Sequence, residues 1–252
     1  MIPMDLNADL GESFGAWTLG DDERLVEHIT SANLACGFHA GDFRVMEATV
    51  ALCRRADVAV GAQPGYPDLM GFGRRPLPFE ADEVESLVLY QIGALEGFCR
   101  AHRVEMRHVK PHGALYNQAA ADPRLATAIA SAVASFSREL ALFGLATSEP
   151  MRAAADAAGL RFVPEAFADR RYLPDGSLQP RTVAGSVIGD GDAAAAQATQ
   201  IAVNGTVTAV DGSQVELRAE SICCHGDTPG AVEIAAAVRA SLESAGMALA
   251  PP

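Results

Sequence analysis

The stretch Met106-Arg107-His108-Val109-Lys110-Pro111-His112-Gly113-Ala114-Leu115-Tyr116-Asn117 holds the pattern that decides the fold. A short run with strand alternation, Met106 to Lys110, ends abruptly in a polar cluster. Alternation puts His108 and Lys110 on one face, and Pro111 stiffens the exit that presents His112. Comparable apolar runs ending in polar residues occur at Ile2 to Asn7, Ser31 to Cys36, Ala59 to Gln63, Leu140 to Leu145, Arg161 to Pro164 and Glu220 to His225. Segments of helical period follow most of them: Arg44 to Arg55, Glu83 to His102, Pro123 to Ser135, Glu149 to Ala158, Ala193 to Val203 and Pro229 to Ala245. Such alternation marks βα units around a parallel sheet. Seven strands predict a closed or nearly closed α/β barrel, with an open doubly wound sheet as the alternative. Both collect ligands at the carboxyl ends of their strands.

Smaller signals refine this outline. Asp122 before Pro123, and Thr228 before Pro229, read as helix N-caps with proline at the first helical position. In Thr206 to Arg218 the runs TVTAV and QVELR flank Asp211 and Gly212, which predicts a β-hairpin excursion before the last strand. At 252 residues and 49% hydrophobic content, the chain is expected to form one domain spanning 1–252.

Charge narrows the function. With 19 basic and 32 acidic residues the net charge is -13, which repels a polyanion and argues against nucleic acid. An anionic substrate must then be held by local cations or backbone donors. Neither a signal peptide nor an apolar run long enough for a membrane span is present, so a cytoplasmic location is expected. The five cysteines, Cys36, Cys53, Cys99, Cys223 and Cys224, include no C-x-x-C pair and read as small buried hydrophobes.

Polar residues gather where the candidate strands end. The first cluster, Asn7 to Glu12, brings Asn7, Asp9 and Glu12 to the mouth of a barrel, although Asp9 reads equally as a turn or cap residue. In the second, Cys36 to Asp42, His39 lies in a glycine-rich loop suited to acid-base work or metal ligation, while Asp42 suits the N-cap of the next helix. The third holds Gln63 and continues to Arg74 and Arg75, which read either as anion receptors or as a solvated pair. The fourth contains Lys110, the only lysine among 19 basic residues, followed by His112 and Tyr116. A chain that uses arginine everywhere else needs a compact ammonium at this point. The last clusters hold Glu165, Asp169, Arg170, His225 and Asp227. Asp227 also reads as a helix cap, and Asp169 as the partner of a nearby arginine. No Walker loop, H-E-x-x-H helix or G-x-S-x-G elbow occurs. Three histidines, one lysine and several carboxylates at successive strand ends suit acid-base or metal-assisted hydrolysis.

The blocks DLNADLGE, SANLACGFHAGD, GYPD with GFGRR, LYQIGAL, HVKPHGALYN, FADRRY with PDG, and CCHGD, in this order along nearly the whole chain, resemble the LamB/YcsF family. The resemblance implies a TIM-like seven-stranded (β/α) barrel of the glycoside hydrolase and deacetylase type. It implies 5-oxoprolinase chemistry, in which 5-oxo-L-proline is opened to L-glutamate as ATP is hydrolysed to ADP and phosphate, with ATP as co-substrate and subunits B and C as partners. Carried onto this sequence, it selects Asp9, His39, Lys110, His112 and His225 as catalytic. Asn7, Glu12, Gln63, Arg74, Tyr116, Glu165, Arg170, Arg181 and Asp227 become candidates for binding substrate or phosphate. Gln63 stands where many members carry histidine, and Gly189 where another polar residue is common, which weakens any metal site built on those positions. The rival readings are a metal-dependent deacetylase or amidohydrolase using Asp9, His39 and His225, and a regulatory subunit without chemistry. A divalent metal and a homo-oligomer are left open.

Overall fold

The computed structural model describes residues 3–252, so the start of the first predicted strand at Ile2 lies outside the described residues. The first six strands are β1 (Asp5–Leu10), β2 (Ser31–Ala35), β3 (Ala59–Gln63), β4 (Met106–Val109), β5 (Ala141–Leu145) and β6 (Phe162–Phe167). A two-stranded hairpin, β7 (Thr206–Thr208) and β8 (Gln214–Glu216), precedes β9 (Ser221–Cys224). All strands outside the hairpin pair in parallel, and β9 joins β6 to β1, with Glu165 opposite Ser221 and Asn7 opposite Cys223. The barrel β1-β2-β3-β4-β5-β6-β9 is therefore closed, which removes the open-sheet alternative.

Local sequence accounts for most helix boundaries. Helix Phe43–Ala56 starts at Asp42, whose carboxylate accepts from the backbone N–H groups of Arg44 and Val45 at 2.8 and 3.1 Å. Helix Pro123–Phe136 starts at Asp122, which accepts from Arg124 N at 2.9 Å. Helix Ala81–His102 opens with a capping box between Glu80 and Glu83. Helices Glu149–Ala158 and Gly191–Asn204 fall where the periodicity puts them. The last helix corrects an expectation: it is Ala231–Ser244, capped by Gly230 and not by Thr228. Gly230, at φ +79°, turns the chain after Pro229, while the Thr228 carbonyl closes that turn by accepting from Ala231 N at 2.9 Å.

Alternation along the strands divides the interior into two zones. Outward residues such as Leu6, Leu10 and Leu34 are fully buried against helix residues including Val50, Ile92 and Ile129, one continuous apolar shell. Each buried aliphatic side chain there contributes about 1.5–3 kcal/mol. The inward residues are different, with Asn7, Asp9, Asn33, Gln63, His108, Lys110 and Glu165 facing the axis, all buried. Layers of branched apolar side chains are the usual filling of such a barrel. Here a small separate patch is formed by Ala141, Phe143 and Val163, with Leu145 and Phe167 nearer the mouth. Gly61 makes room for the polar filling, since a Cβ there would stand 2.1 Å from His108 Nε2. Among the described residues, no helix is long and apolar enough to cross a membrane.

Candidate active site

Lys110 is the hub of the barrel axis. Its Nζ lies 2.7 Å from Glu165 Oε1 and 3.2 Å from Asp9 Oδ1, and it donates to Cys223 Sγ at 3.0 Å and Asn7 Oδ1 at 3.1 Å. Two buried carboxylates thus surround one buried ammonium. Asn7 donates to Glu165 at 2.9 Å and to Ser221 Oγ at 2.7 Å, and Asn33 bridges Asn7 and Asp9 at 2.7 and 2.9 Å. Tyr116 closes the remaining side by donating to Glu165 Oε2 at 2.8 Å. Burial alone raises a carboxyl, but the Lys110 ammonium, helped by His225 and His112, holds Asp9 far below the usual carboxylate range. Burial also disfavours the ammonium, and here Asp9, Cys223 and Glu165 outweigh it and keep Lys110 charged.

His225 forms the second element. Its Nδ1 lies 2.8 and 2.9 Å from the two carboxylate oxygens of Asp169, which also accepts from His225 N at 3.0 Å. The ionised carboxylate can only accept, so Nδ1 carries the hydrogen and Nε2 is left as the basic nitrogen. Phe167 stacks on the ring at 5.2 Å. Ligand-capable atoms of Asp9, Cys223 and His225 lie within 4.8 Å of one another.

A cavity of about 680 Å³ opens above these groups, a size that suits a small-molecule ligand. Asp9, Lys110, His112, Tyr116, His225 and Gln63 form its floor, and Arg74, Arg170 and Arg181 its wall. Arg74 pairs with Asp227, and Arg181 approaches the same carboxylate at 3.9 Å. Asp227 is therefore an arginine clamp and not a helix cap. Arg170 donates to the Gln179 carbonyl at 2.6 Å, while its Nε is buried without a partner. Arg75 is engaged with Asp68, away from the cavity lining.

Glu12, His39 and His112 form a third group beside this cavity, with His39 and His112 stacked at 3.8 Å. Burial lowers both imidazoles, His112 to about 4 and His39 well below its usual value, with His112 adding to the effect on His39. Burial together with the charges of Asp9 and Asp227 pushes Glu12 well up.

Residues from all seven barrel strands or the loops beyond them thus meet at one mouth, with His39 and Glu165 buried behind its surface. Three participants escaped the sequence reading. Asn33 was legible as a polar residue at an inward position of an apolar strand. Asp169 pairs with His225 in place of the arginine expected, and Cys223 touches Lys110 where only packing was expected. All five cysteines are buried, as that reading expects, and free.

The LamB/YcsF family model matches residues 4–252. The chain belongs to the LamB/YcsF family. As a LamB/YcsF protein it is 54% identical to the 5-oxoprolinase A subunit of Chloroflexus aggregans, over 100% of both chains. It is 53% identical to the 5-oxoprolinase A subunit of Symbiobacterium thermophilum, covering 99% of this chain and 95% of the other. Among solved structures, the lactam utilization protein from Thermus thermophilus superposes with a TM-score of 0.92 at 47% identity, over 98% of this chain and 99% of that one.

Proposed function

We propose that this LamB/YcsF protein is the A subunit of a 5-oxoprolinase, a single catalytic domain that opens 5-oxo-L-proline to L-glutamate. In this reading it works in the cytosol with subunits B and C, in a complex that hydrolyses ATP to ADP and phosphate. The observation that carries the reading is full-length similarity to relatives that bear this enzyme's name, and the cavity's chemistry agrees with it.

A five-membered lactam is a poor electrophile with a poor leaving amine. Transfer of the γ-phosphoryl group of ATP to the amide oxygen activates the ring carbon. Water then adds to that carbon and the C–N bond breaks as the nitrogen takes a proton, which leaves γ-glutamyl phosphate; a second water cleaves this acyl phosphate to glutamate and phosphate. Asp9 and His225 both line the cavity within 4.8 Å of each other, which suits joint action on an attacking water or the ring nitrogen, and the Asp169-held imidazole suits proton transfer in either direction. Arg170 and Arg181 line the cavity, and their guanidinium groups suit the substrate carboxylate or the phosphoryl oxygens. Lys110, already neutralised by two carboxylates, serves this chemistry by holding Asp9 ionised and in place.

The test is glutamate release from 5-oxoproline by the chain assembled with both partner subunits, with and without ATP. ATP-dependent release is expected, and Asp9→Asn and Asp169→Asn should each lower kcat by roughly 10²- to 10⁴-fold with assembly intact. Release without ATP would move the reading to a metal-dependent amidohydrolase. Unchanged turnover in both variants would leave a purely regulatory role.

A further inference from the structure

Glu12, His39, Gln63 and His112 lie at or beyond the ends of four successive strands, and the ligand-capable atoms of Glu12, His39 and His112 fall within 4.8 Å of one another. All four residues are at most 6% exposed. Among the described residues, eight buried side-chain atoms lack a hydrogen-bond partner, and five of them belong here: Glu12 Oε1, both ring nitrogens of His39 and both amide atoms of Gln63. Each unmet atom costs about 1–3 kcal/mol, and native proteins rarely leave several side by side.

The group also has the outer contacts of a ligand set. His112 Nε2 lies 2.9 Å from the Phe72 carbonyl, which can only accept, so Nε2 carries the hydrogen and Nδ1 keeps its lone pair. That lone pair lies 3.9 Å from Glu12 Oε1. An imidazole tied through one nitrogen to a backbone carbonyl and open at the other is the arrangement found around bound metals. Gly73, at φ +65°, lets the backbone pass close to both rings, for a Cβ there would stand 2.8 Å from His39 Cβ and 2.9 Å from His112 Cδ2.

Asp9, Cys223 and His225 have similar spacing but a different state. The Lys110 ammonium already stands 3.2 Å from Asp9 and 3.0 Å from Cys223, so a second cation there would be repelled.

We propose that Glu12, His39 and His112 bind one divalent first-row transition-metal ion such as zinc. Two imidazoles and a carboxylate suit zinc or cobalt better than calcium or magnesium, which prefer oxygen-only shells. Gln63 and His112 line the cavity, so the site opens onto it. The proposal is independent of the 5-oxoprolinase reading, because binding is measured on this chain alone.

The test uses the full chain, stripped with a chelator, dialysed, and titrated with Zn²⁺ by calorimetry and with Co²⁺ by visible absorption. One ion per chain is expected, with at least tenfold weaker binding in Glu12→Gln and His39→Gln and unchanged binding in Cys223→Ser. Crystals of the unaltered chain soaked in Zn²⁺ should show an anomalous peak between Glu12 and His112, which decides the matter even if a variant fails to fold. No bound ion, a peak beside Cys223, or unchanged affinity in both folded ligand variants would overturn the proposal.

Discussion

Two buried polar groups share the mouth of this barrel and differ in how their charge is met. Around Lys110, an ammonium, two carboxylates, two asparagines and a tyrosine hydrogen-bond to one another along the axis. Around His39, a glutamate, two imidazoles and an amide are equally buried, yet most of their polar atoms meet no partner. The first group carries its own cation, so Asp9 stays ionised despite burial. The second has none among its members, so burial pushes Glu12 up and both histidines down. Burial is common to both, and the presence of a resident cation decides the protonation state.

Removing that cation should have the largest effect on this contrast. Lys110→Met leaves Asp9 and Glu165 buried without a counter-charge, a change that costs about 3–5 kcal/mol in comparable pairs. Chemical denaturation at neutral pH should show a loss of that size. A loss below about 1 kcal/mol would mean that the network does not depend on its ammonium.

A smaller effect is expected at the foot of the paired group. Asp5 accepts from Thr30 and Ser31 at 2.6 and 2.7 Å and from Ser221, which also bonds Asn7. Burial outweighs these hydrogen bonds and raises its carboxyl to about 6. A carboxyl raised on folding takes up a proton, so its stabilisation is complete below the unfolded value near 4 and is lost as pH rises through about 6. Between those limits the protein should lose on the order of 2 kcal/mol from this group, and Asp5→Asn should flatten that part of the stability profile. An unchanged slope in the variant would remove Asp5 as its source.

The smallest effect should carry the opposite sign. Glu12 is likewise raised, so the metal-free protein bears a growing penalty as pH rises above the ordinary carboxylate range. Glu12→Gln keeps the neutral form at every pH. In chelator at pH 8 it should melt about 2–4 °C higher, equivalent to about 1 kcal/mol in a chain of this length. A lower melting temperature would show that Glu12 has a favourable partner after all.

Much of the fold could be read from short-range pattern. Apolar runs ending in polar residues located the seven barrel strands, and the Asp211-Gly212 signal located the hairpin, whose turn is closed by Gly212 at φ +86°. Two short helices, Asp22–Leu25 and Gly113–Ala119, went unseen because four and seven residues are too few to display a helical period. Gly113 at the start of the second is also a poor helix former. The Thr228 cap failed because a turn through Gly230 competes with the proline signal.

Sequence alone determined that this chain builds βα units and delivers ionisable residues to strand ends, since a strand's period of two and a helix's of 3.6 are local properties of the backbone. It also singled out Lys110, through its isolation among arginines. Only the tertiary structure decided which groups meet: Asp169 with His225, Cys223 with Lys110, and Glu12 with the stacked pair of His39 and His112. Closure of the barrel sets those distances, and electrostatic pairing depends on separations of a few ångströms that no periodicity encodes.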